Sequence, residues 1–249
     1  MDLRNKIALI TGGTKGIGAA TAVLFARQGA DVAIVGRHDD AEAQKTKQAV
    51  EAAGRKGLLI VADMAKPEDA TRCVQQTHAT LGRLDVLVHC AGGLVAGGLW
   101  EVKPEDWYAG FDVHVHAIYH LCRAAVPLMR PKKGGAIVLV SSVAGIRALP
   151  VHIGYQVVKG AIGQFTRALA YELADDNIRV NAVAPGIIRT AFHKDMNPEQ
   201  KKHNLEHRVP LHREGTPEQV AELIRELAVN DYITGEIVTV DGGLTMRIA

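Results

Sequence analysis

Seven short runs of apolar, largely β-branched residues recur along the 249-residue chain: Ile7 to Ile10, Val32 to Val35, Leu58 to Val61, Val86 to Val88, Ile137 to Val140, Ile178 to Val183 and Ile237 to Val240. Each run is continuously apolar rather than alternating, so each predicts a strand buried on both faces. Such strands need a layer above and a layer below, which is the condition of a parallel sheet clad in helices. The stretches between them are long enough for crossover helices. In Ile17 to Gln28, for example, Ile17, Ala20, Val23 and Leu24 are expected to share one helical face. No Pro/Gly/Ser-rich linker, repeat or composition shift divides the pattern, which predicts a single doubly wound α/β domain over residues 1–249.

One segment departs from this regularity. From Ile187 to Gln219 the chain is polar, contains Pro198, Pro210 and Pro217, and carries four of the eleven histidines: His193, His203, His207 and His212. It predicts a mobile insertion, a substrate lid over residues 187–219, above the sheet edge where such folds bind ligands. The formal charge of +2 with mixed signs gives no basic stripe for a phosphate backbone, so nucleic acid is not an expected partner. Cys73, Cys90 and Cys122 form no CxxC pair, and no run approaches the ~20 apolar residues of a membrane span. With no secretory signal at the N-terminus, a cytoplasmic protein without membrane attachment is expected.

The first strand runs into Thr11-Gly12-Gly13-Thr14-Lys15-Gly16-Ile17-Gly18 and then a helical pattern. Glycines there allow a tight turn and let a pyrophosphate approach backbone N–H groups at a helix N-terminus, where the dipole favours negative charge. Strand before and helix after make this a dinucleotide site of Rossmann type on a seven-stranded parallel sheet with helices on both faces. An acid at the end of the second strand would accept a free ribose 2′-hydroxyl, but this chain has Gly36-Arg37, with Lys15 as a second cation in the loop. An Arg/Lys pair suits a 2′-phosphate. Two solvated surface charges are the alternative, so NADP(H) is favoured and NAD(H) retained.

The spacing of Gly12, Gly16 and Gly18 resembles the TGxxxGxG signature of the short-chain dehydrogenase/reductase family. Asp63, Ala91-Gly92, Ser142, Tyr155-Gln156-Val157-Val158-Lys159, Pro185-Gly186 with Thr190, and Tyr232-Ile233-Thr234-Gly235 follow in family order. The resemblance implies that Gly12, Thr14, Lys15, Gly16, Ile17 and Gly18 line the cofactor together with Ala91, Gly92, Pro185 and Gly186. It also implies adenine contacts from Asp63 and Met64, carboxamide contacts from Ile188 and Thr190, and a homotetramer.

Tyr155 and Lys159, four residues apart, share a helical face. A nearby ammonium is expected to lower the tyrosine pKa from about 10, Lys159 is also implied to bind the nicotinamide ribose, and Ser142 is expected to hydrogen-bond the substrate oxygen. Taken alone the Tyr/Lys pair reads as a surface pair; Ser142 and the glycine loop turn it into a catalytic one, with Ser141 as the competing serine. Where the family has a relaying asparagine stands His114, read either as a substitute relay or as a packed histidine. His89-Cys90 replaces the usual pair of asparagines, which puts local hydrogen bonding in question, and Cys90 reads as a packed thiol.

His203-Asn204-Leu205-Glu206-His207 matches an HxxEH zinc pattern outside any peptidase context, and His116 with His120 lacks a third ligand, so no metal is expected. Gly93 to Ala96, Trp100, Trp107, Arg147 and His152 are expected near the pocket, core packing explaining the tryptophans equally well. The functional expectation is a hydride-transferring oxidoreductase acting on a ketone or secondary alcohol. A 3-oxoacyl-carrier-protein reductase and a non-catalytic dinucleotide-binding protein are the alternatives.

Overall fold

The computed structural model describes residues 1–193 and 196–246. All seven expected strands form: β1 (Ile7–Thr11), β2 (Asp31–Gly36), β3 (Gly57–Val61), β4 (Val86–His89), β5 (Gly135–Val140), β6 (Ile178–Pro185) and β7 (Ile237–Val240). They pair in parallel in the order β3-β2-β1-β4-β5-β6-β7. The order reverses between β1 and β4, so the carboxyl ends of these two strands open a crevice that suits a ligand.

Continuous apolar runs serve two cores at once, because successive side chains point to opposite faces. Leu9, Leu87, Ile137 and Leu139 face one core together with α3 (Pro67–Leu81), α5 (Ala117–Met129) and α6 (Ile153–Glu172). Ala8, Ile10, Val86, Val88 and Val138 face the other, with α1 (Gly16–Arg27), α2 (Ala41–Ala52) and α8 (Pro217–Val229).

The inward face of α1 differs from the expected one. Gly18, Thr21, Ala22, Phe25 and Ala26 are buried, whereas Ile17, Ala20, Val23 and Leu24 are only half-buried. The cause is Gly18, where any Cβ would collide with the Gly12 carbonyl; this contact draws the helix onto the glycine loop and fixes its rotation.

Between β4 and β5 the chain forms α4 (Pro104–Phe111), a π-helical turn (Asp112–His116) and α5 as one continuous rod, the residues at both junctions keeping right-handed helical angles. The segment after β6 is irregular as expected, with a short α7 (Pro198–His203) and a second π turn (Asn204–Arg208). Its two stems are joined by Arg189 N–H to Gly215 O and Gly215 N–H to Ile187 O, both 2.9 Å. The irregular stretch ends earlier than residue 219, because Thr216 and Gln219 form a capping box that starts α8. Among the described residues no helix is long and apolar enough to cross a membrane.

Candidate active site

The glycine loop fits a dinucleotide on its own geometry. Gly12 and Gly16 hold φ of +62° and +56°, and a Cβ on Gly12 would come within 2.7 Å of Ala91 N, so the loop lies directly against the exit of β4. Lys15 caps α1 without a side-chain hydrogen bond, and the first turn holds no acid. The amino end of the helix dipole therefore keeps its attraction for an anion such as a pyrophosphate. A Cβ on Gly16 would face Thr190 at 3.4 Å, which puts Thr190, near the start of the irregular segment, over the same turn.

A Cβ on Gly36 would collide with Thr14, so the end of β2 abuts the glycine loop. Lys15 and Arg37 thus stand on one rim, both exposed and neither ion-paired among the described residues. Met64 and Ile188 are 3% and 4% exposed with their side chains in the two cores, which leaves only backbone to meet a ligand; apolar side chains at the ends of buried strands turn inward. Asp63 spends one carboxylate oxygen on Ala65 N–H, 3.1 Å away. Gly186 packs on Asp241, whose Cα a Cβ would approach to 2.8 Å.

The reacting centre gathers at the carboxyl end of β5. Ser142 begins a 3-10 turn (Val143–Gly145), its Oγ accepting from Ala144 N–H at 3.1 Å, and its hydroxyl lies near the Tyr155 phenol, where it favours the phenolate. Ser141 faces elsewhere, donating to the Lys159 carbonyl at 2.8 Å. Gly145 allows the turn to press on α6, since a Cβ there would come within 2.5 Å of that same carbonyl. One helical turn behind Tyr155, the Lys159 Nζ lies 5.7 Å from the phenol ring centroid and donates to Val140 O at 2.8 Å.

The charge balance differs from expectation. Tyr155 has its pKa raised, because burial outweighs the hydrogen bond from Ser142 that favours the phenolate. Lys159 does not reverse this: burial pulls its own pKa down to about 7, so its ammonium is only partly present near neutrality.

His114 belongs to the π turn and is 1% exposed. Its Nε2 lies 2.9 Å from Gly93 O and 3.3 Å from Gly93 N, and Nδ1 is left buried without a hydrogen-bond partner. Its ring meets that of Tyr155 edge to face, centroids 6.1 Å apart. Burial, with Lys159 adding to it, lowers the His114 pKa to about 2. The expectation of an imidazole that titrates near neutral pH is therefore corrected: His114 is a neutral group.

A Cβ on Gly92 would fall inside the His114 ring, which accounts for glycine there. His89 answers the question raised by the missing asparagines. Its Nε2 donates to Val113 O at 3.1 Å, its Nδ1 accepts from the Thr11 hydroxyl at 2.8 Å, and Thr11 Oγ1 accepts from Ala91 N–H at 3.4 Å. Burial takes the His89 pKa down to about 3 and pushes the Cys90 thiol up to about 12.

On the substrate side, Val95 lines no pocket. It is 4% exposed and wedged between Gly110 of α4 and Gly154 of α6, where a Cβ would overlap or crowd it. Trp107 stacks on Phe111 with centroids 5.3 Å apart, whereas Trp100 is 94% exposed and belongs to no core. Arg147 is exposed, and His152 accepts from Gly97 N–H. His203 and His207 stack at 5.1 Å, and among the described residues no group of three metal-ligating side chains converges.

Two residues at the site escaped the sequence reading. Phe192, two positions beyond Thr190, lies with its ring 5.8 Å from Tyr155. Gln156, a variable position inside the Tyr/Lys motif, bonds the loop before α6.

Comparison with known proteins agrees with this architecture. A family model described as enoyl-(acyl carrier protein) reductase matches residues 12–245. The 3-oxoacyl-[acyl-carrier-protein] reductase of Chlamydia muridarum is 37% identical over 97% of this chain and 98% of its own. Glucose 1-dehydrogenase of Gluconobacter oxydans is 37% identical over 97% and 92%. A metagenomic blue fluorescent protein solved in complex with NADPH superposes with a TM-score of 0.92 at 32% identity, covering 98% of this chain and all of that one. Sheet order, glycine loop and these relatives lead to one conclusion: the chain belongs to the short-chain dehydrogenase/reductase family and is an NAD(P)-dependent oxidoreductase of that type.

Proposed function

We propose that the enzyme reduces a ketone to a secondary alcohol with NADPH, Tyr155 supplying the proton. The observation that carries this is Lys159 one turn behind Tyr155, its Nζ 5.7 Å from the phenol ring centroid, with Ser142 near the phenol. A phenol whose pKa is raised stays protonated at neutral pH, which is the state a proton donor needs. Ser142 faces the same oxygen as Tyr155, so both can hydrogen-bond a carbonyl as charge develops on it. Lys159 sits beneath the phenol and, in its protonated fraction, stabilises the phenolate left after transfer. His114 contributes as a neutral imidazole whose buried, unpartnered Nδ1 is left to hydrogen-bond near Tyr155. The nicotinamide, when bound, supplies the hydride.

Gly12, Thr14, Lys15, Gly16, Ile17, Gly18, Ala91, Gly92, Pro185, Gly186, Thr190 and the backbone at Asp63, Met64 and Ile188 would hold the cofactor. Lys15 and Arg37, unpaired on one rim, support the 2′-phosphate form, and a relative in fold binds NADPH. Residues 187–219 serve as the lid, in a cytoplasmic homotetramer. A second reading, reduction of a 3-oxoacyl thioester, is favoured by the name of the Chlamydia relative. Absorbance of NADPH and NADH with ketones, sugars, steroids and 3-oxoacyl thioesters tests both readings. Turnover of ketones preferring NADPH is expected; a preference for NADH removes the cofactor assignment, and exclusive use of the thioester selects the second reading.

A further inference from the structure

Gln156 carries no role in the mechanism above, yet its side-chain amide is spent entirely on the loop before α6. Oε1 accepts from Leu149 N–H at 2.8 Å, and Nε2 donates to Leu149 O at 3.0 Å, Val151 O at 2.7 Å and His152 O at 3.4 Å. The paired groups of Leu149 are met as a neighbouring strand would meet them. The loop needs such a hold. Val151 and His152 take φ of +58° and +61°, a left-handed conformation that a β-branched residue rarely adopts and that persists only where the surroundings enforce it. No side chain caps α6 at His152; the amide of Gln156 instead ties the loop to the first turn of the helix.

The hold extends to a second loop. The His152 Nδ1 accepts from Gly97 N–H at 3.3 Å, and Ile153 N–H donates to Gly97 O at 3.2 Å, which ties the loop before α6 to the one after β4. These two loops carry Val151, four residues before Tyr155, and Leu94, next to the Gly93 that meets His114 beside Tyr155, both about half exposed. We propose that Gln156 is a positioning residue that fixes these two walls and thereby sets which ketones reach Tyr155. The inference rests on the ketone-reduction reading.

Gln156→Glu tests it with nearly unchanged volume, because the carboxylate replaces the donating nitrogen with an acceptor facing three carbonyls. Gln156→Ala gives the same readings without added charge should the first variant fail to fold. Amide exchange at Leu149 is expected to quicken by about tenfold or more, in Gln156→Glu because repulsion by the three carbonyls drives the carboxylate out of the loop and in Gln156→Ala because the acceptor is gone. The ratio of kcat/KM for a small methyl ketone to that for a bulky aryl ketone should shift by about fivefold or more, through KM, with kcat on the small ketone nearly constant. Unchanged exchange at Leu149 overturns the hold, and faster exchange with an unchanged ratio overturns its part in selection. A wild-type protein that reduces no ketone removes the ketone-reduction reading and the selection with it, while exchange at Leu149 still decides whether Gln156 holds the loop.

Discussion

The two halves of the crevice work by opposite physics. On the glycine-loop side, Lys15 and Arg37 stand in solvent beside an uncapped helix end. On the reacting side, His89, His114 and Lys159 are withdrawn from water and Tyr155 is half-buried, and burial is the leading cause of every shift in their protonation. Exposed cations attract at long range and yield to salt. Desolvated groups are insensitive to salt but responsive to pH. Recognition and chemistry are thus separable by two ordinary variables.

The contrast can be broken most sharply at Tyr155. In Tyr155→Phe, kcat should fall by about 10²–10⁴-fold, the usual worth of a positioned proton donor, with NADPH affinity by fluorescence titration nearly unchanged. A variant that kept its turnover would end the proposed mechanism.

Next in size is the dependence of stability on pH. Lys159 falls from 10.5 to about 7 on folding, so between those values the unfolded chain holds a proton that the folded one lacks, and stability rises with pH. For His89 and His114 the same window runs from 6.5 down to about 3 and about 2, so their share of stability is lost as pH falls below 6.5. Each group contributes a slope of up to about 1.4 kcal/mol per pH unit. Denaturant melts of Lys159→Met at alkaline pH, and of His114→Asn at acid pH, should each show a flatter slope than the parent; unchanged slopes would mean that the groups are not desolvated.

Arg37→Asp tests the other half. Loss of a charge-assisted bond to a 2′-phosphate should weaken NADPH by roughly 10–100-fold and spare NADH, as read from the two KM values. Salt gives the smallest effect: a few-fold rise in the NADPH KM as the screening length drops below about 10 Å, with kcat steady. A kcat that tracked salt as steeply as KM would erase the distinction between the halves.

The strands were legible because burial on both faces writes itself as unbroken apolar runs, and β1 through β7 formed where those runs lay. Ser142, Tyr155 and Lys159 were legible by motif, and the structure brings them together at the end of β5. Their protonation was not, because a spacing of four residues encodes distance but says nothing of how much water is left around the pair. The Thr11–His89 bond spans 78 residues, and only the pairing of β1 with β4 reveals it. The face of α1 was misjudged for a related reason: what sets its rotation is the absence of a side chain at Gly18, against which a count of apolar positions carries no weight. Gln156 looked like filler since glutamine in a helix usually faces solvent.

The π turn at Asp112–His116 lets the helical rod carry one extra residue without changing the face that α5 turns to the sheet. Ala117 N–H reaches back five residues to Asp112 O, and the Val113 carbonyl takes its bond from His89 on a neighbouring strand. Five residues of a π turn cover about the arc that four cover in an α-helix, so removing one would restore ordinary winding and leave α5 facing the sheet as it does. Leu121, Cys122 and Ala125 would keep their core, while His114 and the Val113 carbonyl, which belong to the turn itself, would be displaced from Gly93 and His89. The extra residue thus serves the crevice and not the core: a chain shortened by one within the turn should keep its fold and lose the contacts of His114 and His89.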